Sequence, residues 1–74
     1  MTLLLVDDEF HVRKKLRDKI DWNALGIDLL LEADDGIRGY ETALQHKIDI
    51  LISDVRMPRM SGMEMAEKIR ALYP

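Results

Sequence analysis

The chain has 74 residues, enough for one small domain, and a domain of this size buries only a modest share of its unfolded surface. It contains no cysteine, which excludes disulfides and thiolate metal sites and fits a reducing compartment. The 11 basic and 14 acidic residues leave a net charge of −3, which lacks the basic excess of a nucleic-acid footprint, and no apolar run reaches the length of a membrane span.

Leu3 to Val6 form a short, continuous apolar run that Asp7-Asp8-Glu9 ends abruptly. Such a run suits a strand buried on both faces, as in a parallel sheet. The start lacks the basic region, longer apolar stretch and cleavage site of a secretory signal, so a cytoplasmic protein is expected. Val12, Leu16 and Ile20 recur at a spacing of four in a segment rich in Arg and Lys, the apolar stripe of an amphipathic helix. Asp21-Trp22-Asn23 and Gly26 break it, and Trp22 is expected to anchor that turn. Ile27 to Leu31 predict a second strand, closed by Asp34-Asp35-Gly36 as a turn. Ile37, Tyr40, Ala43 and Leu44 mark a second helix face, and Ile48 to Ile52 a third strand that leads into Ser53-Asp54. Met57-Pro58-Arg59-Met60 predicts a loop. Ser61 is placed to cap a third helix with the stripe Met65, Ala66, Ile69, Leu72 and Tyr73.

The order βαβαβα implies an α/β fold with parallel strands and right-handed crossovers. Ligands in such sheets bind beyond the carboxyl ends of the strands, where strand order switches. Asp7 and Asp8 follow the first strand and Asp54 follows the third. If those strands are neighbours, three carboxylates meet on one rim. Like charges repel, so a fold that gathers them favours a cation among them. Mg²⁺ suits hard oxygen ligands and also accepts phosphate oxygens, and a carboxylate beside it can act as a nucleophile toward phosphorus. The plainer reading is local. Asp7, Asp8 and Glu9 precede a helix, whose N-terminus favours acids, and Asp54 precedes a turn. Taken singly each acid is more often structural; their joint placement favours function. A hydrolase working through an aspartyl phosphate needs a second acid two residues after the nucleophile, and Arg56 stands there.

Leu5-Val6-Asp7-Asp8-Glu9 and Asp49-Ile50-Leu51-Ile52-Ser53-Asp54-Val55-Arg56-Met57-Pro58, with Glu32-Ala33-Asp34-Asp35-Gly36 and Met60-Ser61-Gly62-Met63-Glu64, resemble the receiver domains of two-component response regulators. The resemblance implies a flavodoxin-like fold and a non-enzymatic signalling role. It makes Asp54 the acceptor of a phosphoryl group from a sensor histidine kinase. It makes Asp8 a direct ligand of Mg²⁺, Asp7 a ligand acting through water, and the Arg56 backbone carbonyl a third contribution beside Asp54. Asp21-Trp22 with Leu25-Gly26 resembles regulators whose output is an AraC-type DNA-binding domain, so DNA contact is expected through that output and not through this segment.

The resemblance also implies that residues 1–74 are the N-terminal portion of one receiver domain, with strands in order 2-1-3 and the last two βα units, which bear a Ser or Thr and a Lys at the site, absent. Phe10 stands where the family often has Pro, and Ser61 where it often has Asp. An uncovered third strand is an edge hazard, so the alternative expectation is a non-switching module that self-associates as a homodimer. His11 and His46 have no ligand partner at chelating spacing and are expected on the surface. The five Met residues are expected to fill gaps.

Overall fold

A computed structural model describes residues 1–57 and 59–73. Strands β1 (Thr2–Val6), β2 (Leu29–Ala33) and β3 (Ile50–Ser53) alternate with helices α1 (Phe10–Lys19), α2 (Gly36–Gln45) and α3 (Gly62–Arg70), with a short 3₁₀ turn at Asn23–Leu25. The sheet order is β2-β1-β3 and both pairings are parallel. The expected α/β architecture, three parallel strands in order 2-1-3, is therefore what the chain adopts. Pro58, in the expected loop, and Pro74 lie outside the described residues.

β1 is central, which explains its unbroken apolar run. Successive side chains of a strand point to opposite faces, so Leu4 and Val6 join Ala33, Ala43, Ile48, Met65 and Ile69 on the α2/α3 side. Leu3 and Leu5 join Ile27 on the other, where Leu16, Trp22, Leu30 and Ile50 pack. Trp22 anchors its turn as expected, and its indole N–H donates to the Arg17 carbonyl at 3.2 Å.

Both outer strands begin two residues later than the apolar runs. Pairing to β1 opens with Asp28 N–H on the Met1 carbonyl (3.0 Å) and Asp49 N–H on the Thr2 carbonyl (2.9 Å). Ile27 and Ile48 precede that pairing and serve as core side chains. Asp49 returns a second bond, its carboxylate accepting from Thr2 N–H at 2.7 Å. Tyr73 lies beyond α3, and its hydroxyl oxygen accepts the Ile48 N–H at 2.8 Å.

The helices depart in part from their expected stripes. On α2, Ala43 is buried and Tyr40 packs on the core as expected, but Leu44 is exposed and Gly36 and Gly39 complete the packed face. α1 buries no residue fully, and Val12 is exposed. Charge helps to hold α1: Arg13 and Arg17 both reach Glu32 on β2, at 3.2 and 2.9 Å. In α3 the cap is as expected, Ser61 accepting from Glu64 N–H at 3.2 Å, and Met65 and Ile69 are buried, but the helix ends at Arg70, so Leu72 and Tyr73 of the expected stripe lie beyond it.

Asp35 is the one buried charged residue among those described. Its carboxylate caps α2 by accepting from Arg38 N–H at 2.8 Å and pairs with the Arg59 guanidinium. Burial disfavours the ionised form, but the Arg38 N–H and the Arg59 charge outweigh it and hold the carboxyl below its ordinary value. As pH falls, the unfolded chain takes up this proton first. The stability from Asp35 is therefore complete above the unfolded value and is lost as pH falls through the folded one. Asp35→Asn should destabilise the fold at neutral pH, and its deficit against wild type should shrink on acidification; urea midpoints across a pH series check both.

Candidate functional site

β1 and β3 run side by side with Val6 opposite Ser53. Each strand then ends on an aspartate, so Asp7 and Asp54 leave the sheet at the same level. Backbone bonds fix both exits: Asp7 N–H donates to the Ala33 carbonyl at 3.1 Å, and Asp54 N–H donates to the Val6 carbonyl at 3.0 Å. One carboxylate oxygen from each of Asp7, Asp8 and Asp54 falls within 4.8 Å of the others. Asp7 is partly buried, while Asp8 and Asp54 are exposed. The expected convergence of the three acids on one rim is thus realised.

The local roles weighed for these acids account for part of the geometry. Glu9 is the N-cap of α1, yet its side chain makes no capping bond. Asp7 does have local work, since its Oδ1 accepts from Glu9 N–H at 2.9 Å. Asp54 Oδ1 accepts from Arg56 N–H at a long 3.4 Å, a weak turn contact. Neither bond requires three carboxylates to share one space. The donor set is all oxygen, compact and open to solvent on one side, which fits Mg²⁺ with several retained waters. Arg56 is exposed two residues beyond Asp54.

Two supports of the site carry no signal in the sequence. The Arg13 guanidinium donates to the Asp7 carbonyl at 2.6 Å while holding Glu32, so α1 and β2 are tied to the backbone of a site residue. The start of α3 closes on the end of β3: Gly62 N–H donates to the Val55 carbonyl at 2.9 Å. A Cβ on Gly62 would run into the Asp54 carbonyl oxygen and come within 3.0 Å of Ser53 Oγ. A spacing of eight residues between an acid and a glycine carries no signal of such contact.

A family model of the response regulator receiver domain matches residues 3–74. The chain belongs to this family. It is 36% identical over 72 residues to the uncharacterized transcriptional regulatory protein YesN of Bacillus subtilis (strain 168), a match covering 97% of this chain and 20% of that protein. The crystal structure of a two-component transcriptional regulator AraC from Clostridium phytofermentans ISDg superposes with a TM-score of 0.94 at 46% identity, covering all of this chain and 60% of that one. Vibrio cholerae chemotaxis protein CheY4 superposes with a TM-score of 0.81 at 30% identity, covering 96% of this chain and 57% of that one. This receiver chain thus spans about a fifth of the curated relative and three fifths of the first structure.

Gly62→Ala tests the contact under Asp54. The added methyl has backbone on one side and should cost on the order of 1–3 kcal/mol by chemical denaturation. Amide exchange at Asp54, whose N–H bonds to the Val6 carbonyl, should also speed up, because the strand end carrying it must shift.

Proposed function

We propose that this receiver chain accepts a phosphoryl group on Asp54 from the phosphohistidine of a sensor histidine kinase. The observation that supports the reading is the meeting of Asp7, Asp8 and Asp54 within 4.8 Å in a chain of the receiver family. In the proposed step an Asp54 carboxylate oxygen attacks phosphorus, the P–N bond breaks, and its electron pair returns to the imidazole. Asp54 is exposed, so a donor side chain has access to it. Asp7, Asp8, Asp54 and the Arg56 backbone carbonyl would hold Mg²⁺, which offsets charge on the phosphoryl oxygens when bound. Asp7 has its backbone pinned from both sides and orients the pair; Asp8, further out, is the direct ligand in this reading.

We read residues 1–74 as the N-terminal portion of one receiver domain in a longer, cytoplasmic regulator. The aspartyl phosphate would bias a two-state equilibrium and so control an output. Similarity to a transcriptional regulator AraC supports a DNA-binding output of that type, with this segment itself making no nucleic-acid contact. No helix among the described residues is long and apolar enough to cross a membrane.

A specific observation favours a second reading, self-association. β3 is an edge of the sheet, and Ile52 on it is 42% exposed. A second copy pairing along β3 would cover both the free backbone groups and that side chain. Sedimentation velocity over a concentration series decides it: a growing dimer fraction supports the reading, and a monomer at every concentration removes it.

The phosphoacceptor reading is tested with a small phosphodonor such as acetyl phosphate. Asp54→Asn should abolish incorporation, and undiminished labelling would exclude Asp54. Asp8→Asn should keep the acceptor but raise the Mg²⁺ concentration for half-maximal labelling by at least about tenfold, since losing even a group that only hydrogen-bonds to a metal ligand costs that much.

A further inference from the structure

Arg59 has a φ of +70°, the one positive φ at a non-glycine residue among those described. A side chain in the left-handed region crowds the following carbonyl, which glycine avoids. A residue held there without glycine's freedom needs something to hold it. The Arg59 guanidinium supplies a tether: it pairs with Asp35, the buried carboxylate that also caps α2. The next loop residue is pinned too. Met60 lies so close over Gly36 that a Cβ there would come within 2.8 Å of the Met60 Cβ. Residues 59 and 60 thus rest on residues 35 and 36. Immediately afterwards Ser61 caps α3, and Gly62 N–H bonds back to Val55, one residue past Asp54.

We propose that the Asp35–Arg59 pair is a positioning clamp, in which the ion pair does the work of a glycine by holding Arg59 left-handed and so keeping the connection between β3 and α3 seated around Asp54. The clamp matters to signalling only if Asp54 is the acceptor, as proposed above. Arg59 and Asp35 are positioning residues in this scheme and touch no phosphoryl oxygen. An ordinary surface ion pair contributes little because both partners are solvated. Here one partner is buried and the other constrains a backbone turn.

The scheme makes an unusual demand: glycine at position 59 should compensate for loss of the charge at position 35. Asp35→Asn retains an oxygen to cap α2 but releases Arg59. The double variant D35N/R59G leaves the tether cut and removes the need for it. Amide hydrogen exchange followed by NMR on the metal-free 74-residue chain reads the loop directly at Gly62, with the β1 amides as the global reference. In D35N, Gly62 exchange should speed up by about tenfold relative to β1, the scale set by one strained residue, and the Mg²⁺ requirement for labelling from acetyl phosphate should rise. In D35N/R59G both should return toward wild type. The global destabilisation expected of D35N speeds β1 and Gly62 alike; a Gly62 change no larger than that of β1, with no recovery from glycine, would overturn the clamp. Unchanged Gly62 protection in D35N would overturn it as well. Because exchange needs neither metal nor phosphate, a Gly62 response in a chain that takes no label would support the clamp while removing the acceptor reading.

Discussion

Val6 sits opposite Ser53, and the residue that follows each is an aspartate. The rest of the site depends on that parallel register. A slip of one residue would turn every side chain of a strand to the other face and move Asp54 away from Asp7 and Asp8. Burial makes β1 the central strand, apolar on both faces and feeding two cores, but such a strand could present either face, so the register is secured by hydrogen bonds at the ends. Asp49 binds Thr2 through backbone and carboxylate where pairing begins, and Asp54 N–H binds the Val6 carbonyl where it finishes. The pairing of the central strand thereby sets the geometry of a polar rim.

That rim gathers three carboxylates, whose like charges repel one another. The surrounding structure resists the repulsion with backbone bonds and with Arg13, whose guanidinium is anchored to Glu32 and reaches the carbonyl of Asp7. The same arginine links a site residue to α1, a helix with no fully buried side chain. Electrostatic contacts thus hold α1 where apolar packing is thin, and they lie next to the acids that any cation would neutralise.

The other half of the site is a loop problem. Asp54 ends a strand, and α3 begins at Gly62 close against it. The chain between must turn back within a few residues. Ser61 and Gly62 serve the return by capping the helix and by leaving room for the Asp54 carbonyl. Arg59 and Met60 fasten the loop to α2. A helix on the same side of the sheet as α3 is thereby coupled to the residue proposed to receive phosphate.

Local chemistry made much of this legible in the sequence. The apolar run at Leu3–Val6 marks a strand covered on both sides, the βαβαβα order implies parallel pairing, and Ser61 caps the helix it precedes. The acids Asp7, Asp8 and Asp54 stand out because they follow strands, a property of chain order alone. Elsewhere the pattern was ambiguous. Ile27 and Ile48 read as strand residues since periodicity reports burial, and both are buried, but pairing starts one residue after each. Val12 and Leu44 read as core since helical spacing identifies a stripe without saying what covers it. Whether three carboxylates meet, whether Arg13 reaches the Asp7 carbonyl and whether Asp35 finds Arg59 were decided only by tertiary structure. Those contacts join residues distant in sequence across a register that strand pairing selects, and no local spacing encodes them.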